Sequence, residues 1–247
     1  MACEYCDSLP GPLPQWIIPR ELPKACVPTL GRFRVGNLHY RVHGRLAPKL
    51  FLARRDTALT EMVLLKINAS QKEWELARRL RRDFEGRFLS ELLPEPVHWA
   101  HSEKGQPVLV TRWRHEFEAP LSAWAGRVPV QAGLWLAHRL LEELIDLHAL
   151  GYRHGQLSAE HMLIHPHAHG MMLCGWSQCA AKAPGDEVAV GLRAIAGVLR
   201  ADVPKPLLRL LNQPVGSAHQ VYQELKRVSE AVVGSRQFCP LSQIERR

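Results

Sequence analysis

Between Gly151 and Ser177 the chain reads GYRHGQLSAEHMLIHPHAHGMMLCGWS, rich in imidazoles and almost empty of carboxylates. His161, His165, His167 and His169 form H-x-x-x-H-x-H-x-H, which would suit a soft divalent metal if the segment were one extended strand, where residues two apart share a face. Pro166 and the HPHAHG composition point instead to a hairpin turn, whose side chains splay. The only acid between Gly151 and Ala183 is Glu160, so the oxygen donors that magnesium requires are scarce. Cys3 and Cys6 make one C-x-x-C pair with Cys26 further on, whereas a structural zinc site takes four ligands, usually from two such pairs. No metal is expected from either group.

The elements that would position these residues follow from periodicity. A Pro-rich stretch, residues 1–35, reads as an extended leader. LHYRVHGRL, KLFLARR and EMVLLKI are short, rich in aliphatic and aromatic residues, and read as three antiparallel strands. Ser70 with Glu73 three residues on is a capping-box pattern, and Ala77, Leu80 and Phe84 mark one face of the helix it starts. EPVHWAHSEKGQPVLVTRW predicts a hairpin about Lys104-Gly105. The first half is thus β-β-β-α-β-β. VQAGLWLAHRLLEELIDLHALG then predicts a long helix ended by Gly151. Two short strands, HMLIH and GMMLCGW, follow, and three further helices complete the chain. The fold class is α+β.

With 247 residues, 46% of them hydrophobic, the chain can bury a sizeable core. The first residues carry no basic start followed by an apolar run, so the six cysteines read as thiols of a cytoplasmic protein. Charge interrupts every apolar run before the roughly 18 residues of a membrane span. A net charge of +8 favours anionic partners. The run ARRLRRDFEGR, Ala77–Arg87, reads as the solvated face of a helix, and no nucleic-acid-binding motif accompanies it.

The order of elements, and the motifs on them, resemble the protein-kinase family. LIDLHALGYRHGQLSAEHMLI is similar to the kinase catalytic-loop pattern, with Leu144, Leu147, His148, Gly151, His154, Leu157, Glu160 and Leu163 in register. LCGWS stands where the family has its Asp-Phe-Gly motif, and EMVLLKI resembles the strand that carries the phosphate-contacting lysine, here Lys66. HGQLSAEHMLIHPHAHGMMLCGW is closer still to a bacterial kinase-like group sometimes linked to J-domain chaperones, with Ala159 for that group's proline and Gly175 for its aspartate. The resemblance implies a bilobal fold: a small β lobe with one helix over residues 36–113, and a mainly helical lobe over 114–247. It also implies a glutamate partner for Lys66. Counting +3, +4 and +7 from Glu73 gives Leu76, Ala77 and Leu80, whereas from Glu75 it gives three arginines; Glu73 is therefore the expected partner. The competing role for Glu73 is to close the capping box with Ser70. His154 is expected to be structural.

Against that pattern the catalytic residues are gone. Gln156 stands for the aspartate base, and an amide cannot accept a proton at neutral pH, a loss of about 10²–10⁴-fold. His161 stands for a metal-binding asparagine, and Gly175 for the metal-binding aspartate. Gly44 alone remains of the glycine-rich loop, in HGRLAPKLFL, where Pro48 removes an N–H and Arg45 and Lys49 supply charge. The expectation is a catalytically inactive kinase-like protein, a pseudokinase, that binds another protein. Lys66, Glu73 and Gly44 would form any nucleotide cleft. No cofactor is required by the residues, and ATP, held weakly without metal, is the one the resemblance allows. Trp176 is the expected side chain for filling that cleft. An unconventional ATP-dependent phosphotransferase or nucleotidyltransferase is the first alternative, and a basic nucleic-acid-binding module the second.

Overall fold

The computed structural model describes residues 31–47, 49–56, 62–87, 92–114, 117, 119–165, 167, 170–179, 186–233 and 241. Cys3, Cys6, Cys26, Pro48, Pro166 and His169 lie outside them. The chain divides into two compact units, one of Met1–Arg78 with Pro94–His115, the other of Arg79–Leu93 with Glu116–Arg247. Its architecture is mixed α+β, as the periodicity predicts.

The first unit is an antiparallel sheet of six strands. They are β1 (Gly31–Val35), β2 (Leu38–Ala47), β3 (Leu50–Arg55), β4 (Met62–Ile67), β5 (Pro96–His101) and β6 (Pro107–Arg112), in the order β1-β2-β3-β4-β6-β5. One strand more precedes the helix than the pattern predicts. GRFRV carries only Phe33 and Val35 as apolar residues and follows a proline-rich stretch, yet Val35 is fully buried. The sheet curls, so that Gly36 N donates to His101 O at 2.9 Å and Val35 bridges to Ser102. One face encloses Val35, Tyr40, Val42, Ala53, Val63, Leu65, Val108 and Val110. Each valine or leucine among them contributes about 1.5–3 kcal/mol on burial. The expected hairpin forms at Gly105, whose N–H donates to Ser102 O at 2.9 Å.

Helix α1 (Gln71–Asp83) starts where the Ser70 signal predicts, with Glu73 N donating to Ser70 Oγ at 3.2 Å. Leu76, Ala77, Leu80 and the following Phe84 are buried while Arg78, Arg79 and Arg82 are exposed, so the arginine run is a solvated face.

The second unit is built on α2 (Val130–Ala149), in which Leu136, Ala137, Leu140, Leu141, Leu144 and Leu147 are fully buried. That spacing of three and four is the stripe the sequence shows. Helices α3 (Glu187–Ala196) and α5 (Ala218–Val233) pack on α2, and α4 (Lys205–Asn212) lies between them in sequence. A small antiparallel sheet joins β7 (Ala119–Pro120), β8 (Met162–Ile164) and β9 (Met171–Leu173). Among the described residues no helix is long and apolar enough to cross a membrane.

Candidate functional site

The expected site residues fall into the two units. In the first, Lys66 sits near the end of β4, between Leu50 of β3 and Leu109 of β6 in the ladder. Its ammonium pairs with the Glu73 carboxylate, and the two side chains are 35% and 12% exposed. The capping box is therefore half formed. Ser70 accepts from the Glu73 backbone, but the Glu73 carboxylate turns to Lys66 and ties helix to sheet. Glu75 is exposed and accepts from Gln71 Nε2 at 2.8 Å.

Gly44 lies inside β2, opposite Leu52, next to register shifts at Val42/Gly44 and Arg45/Ala47. A Cβ there would meet nothing within 4 Å. Gly44 thus stands in a bulged part of the β2–β3 pair. Arg45 is exposed with its guanidinium 5.9 Å from the Phe51 ring centre, and Lys49 is exposed as well.

In the second unit the loop after α2 is organised by two buried groups. His154 is fully buried; its Nε2–H donates to Cys174 O at 2.9 Å and its Nδ1 accepts from Gln156 N at 3.3 Å. Burial drives its pKa from 6.5 down to about 4, so the ring is neutral. The Trp176 ring packs 4.5 Å away, and the Trp176 indole N–H donates to Leu173 O at 2.8 Å. Trp176 is thus a buried side chain of the second unit, held by its own strand and His154. Glu187, at the start of α3, is the second organiser. Its carboxylate accepts from Gly155 N and from His148 Nε2, both at 2.8 Å. Burial alone would raise its pKa, but those two bonds and the neighbouring imidazoles hold it below the usual carboxylate range. Sequence reasoning missed Glu187. The signal available was Asp186, which caps α3 by accepting from Ala189 N at 3.1 Å and so fixes Glu187 in the first turn.

The three positions expected to be degenerate come together here. Gln156 is exposed, and its carbonyl accepts from His161 Nδ1 at 2.5 Å. Ser158 Oγ lies 3.2 Å from the same nitrogen. The other side of the His161 ring lies against Gly175, which has φ 80° and ψ 36°. A Cβ at Gly175 would stand 2.6 Å from His161 Cδ2 and 2.8 Å from Nε2. The space beside the Gly175 Cα is closed by an imidazole. Gly155 is similar: at φ +79°, its Cβ would lie 2.4 Å from Gln178 O.

No family model and no curated protein matches the chain. Among solved structures it is similar to the Cydia pomonella granulovirus kinase PK-1. The two are 12% identical over 73% of this chain and 77% of that chain, with a TM-score of 0.49.

His165 and His167 flank the β8–β9 turn with ring centres 6.2 Å apart and planes perpendicular, and His165 packs edge-on to Phe117. Among the described residues no three His, Cys, Asp or Glu are grouped to hold a metal. Glu160 is exposed. The donor set around His161 therefore does not fit magnesium, which takes near-octahedral oxygen.

Proposed function

We propose that the chain is a kinase-like protein without phosphotransfer activity, which works by binding another protein. The observation that carries this is the His161 ring against Gly175. An aspartate lost by drift leaves room for its return, but here the ring occupies the space and the backbone is left-handed. Gln156 adds an amide where a base is needed. The kinase frame itself rests on the register of the catalytic-loop segment and on the Lys66–Glu73 pair. The same segment supports a bacterial kinase-like lineage linked to J-domain chaperones, and with it a cytoplasmic setting.

The test is incubation with labelled ATP and magnesium beside Lys66→Ala protein. The expected result is no lysine-dependent transfer to the chain or to a generic acceptor; such transfer overturns the reading. A second reading, an unconventional ATP-dependent phosphotransferase or nucleotidyltransferase, is favoured by the intact Lys66–Glu73 pair. It requires ATP to raise the thermal midpoint, because a ligand bound only by the folded form stabilises it. In the leading reading any ATP bound at Lys66 is held without metal and weakly, and the shift at millimolar ATP is the same with and without magnesium.

A further inference from the structure

On the face of the first sheet opposite its apolar core, arginines line up across three strands. Arg32 of β1 stands directly opposite Arg41 of β2, and Arg41 directly opposite Arg54 of β3. Two residues along, Arg34 faces His39. Strands lie about 4.8 Å apart, so the row spans about 10 Å of backbone. Like charges placed opposite each other across strands destabilise a sheet.

Among the described residues the carboxylates on this face are Asp56 and Glu103. Asp56 lies 2.8 Å from Arg41 and 3.8 Å from Arg32, and Glu103 lies 3.3 Å from Arg34. Four guanidinium groups thus meet two acids. Arg32, Arg34 and Arg41 remain 72%, 49% and 41% exposed. His43, on the same face, is held neutral by burial and by Arg54 and Arg41, so it adds no charge to the row.

We propose that this face docks an acidic segment of a partner protein, with side-chain carboxylates laid across Arg32, Arg41 and Arg54. The inference rests on the protein-binding part of the reading above and names the chemistry of the partner. Asp56 already shows the geometry, a carboxylate seated on Arg41 and reaching Arg32. Arginine forks suit carboxylates through paired hydrogen bonds, and every cation of the row is arginine. Single-stranded nucleic acid fits this face less well, because the described positions 32, 34, 39, 41, 43, 54 and 56 carry no Phe, Tyr or Trp for bases to stack on and offer only the imidazoles of His39 and His43.

The experiment titrates the full chain against a short labelled polyglutamate peptide and, separately, a labelled single-stranded RNA of equal charge. Arg32→Ser/Arg54→Ser should weaken peptide binding about tenfold or more. Arg78→Ser/Arg82→Ser, which removes the same charge from the exposed face of α1, should change it less than about twofold. The thermal midpoint of Arg32→Ser/Arg54→Ser should hold or rise, since a repulsion is relieved. Absent peptide binding, equal weakening by both variants, or RNA bound more tightly than peptide through the same two arginines overturns the proposal. ATP transfer, measured on the same samples, reads the loss of kinase activity on its own, so either conclusion can fail without the other.

Discussion

Lys66 and Glu73 are held together by regular structure, a β-ladder on one side and a capped helix on the other. Gln156, His161 and Gly175 are held by turns, through a buried histidine, a buried glutamate and two left-handed glycines. The first pair needs only that a strand and a helix form, which local sequence dictates. The second group needs distant side chains to reach particular backbone atoms: Glu187 to Gly155 N, His154 to Cys174 O, His161 to Gln156 O. A site on ladders keeps its parts under weak selection, because the fold maintains them. A site on turns depends instead on individual side-chain hydrogen bonds to particular backbone atoms.

Glycine substitutions probe this contrast most severely. Gly155→Ala places a Cβ 2.4 Å from a backbone carbonyl at positive φ, and should cost about 3 kcal/mol or more, since neither atom yields easily. Gly175→Asp meets the His161 ring, which can swing aside by giving up its bond to Gln156 O. It should cost about 2–3 kcal/mol, of which His161→Ala in the same chain restores the steric part. Gly44→Ala, in open space on β2, should be neutral or stabilising within about 1 kcal/mol. Denaturant melts of the three variants measure the ranking. A Gly44→Ala loss as large as that of Gly155→Ala would erase the distinction between ladder and turn.

Acid tests the turn-built site without mutation. The folded pKa of His154 is about 4 against 6.5 for an ordinary histidine. Between those values the unfolded chain binds the proton and the folded chain does not. The stability tied to neutral His154 is complete above pH 6.5 and is lost as pH falls toward 4, a total of about 3 kcal/mol. Glu187 acts in the same direction lower down: its depressed carboxyl contributes fully above 4.5, and the contribution fades as pH falls through the folded value. His154→Gln, whose amide N–H replaces the bond to Cys174 O, should flatten the dependence between pH 6.5 and 4. An unchanged slope in that variant would assign the acid sensitivity elsewhere.

The same division governs what the sequence reveals. Ser70, Glu73 and the apolar face of α1 were readable because capping and helical period are local, and the α2 stripe was readable for the same reason. β1 was not, since Gly31–Val35 becomes a strand only by pairing with β2 and by burying Val35. In the candidate site, the residue types at 156, 161 and 175 were plain. The closure of Gly175 by His161 was not, because it depends on a φ of 80° and on a hydrogen bond across five residues. Glu187 escaped notice because its partners lie 32 and 39 residues away.

A small loss is expected at the ladder-built pair. Lys66→Met keeps the aliphatic stem and removes the charge, leaving the Glu73 carboxylate, 12% exposed, without its cation. A buried pair broken on one side loses several kcal/mol, but Lys66 is 35% exposed and water reaches the pair, so about 1 kcal/mol is expected. Lys66→Met/Glu73→Leu should recover most of that, because replacing both partners with apolar groups leaves no orphaned charge. A double-mutant cycle by urea denaturation gives the coupling. A value near zero would mean that the pair does not tie α1 to the sheet, and that Lys66 is retained for a ligand rather than for the fold.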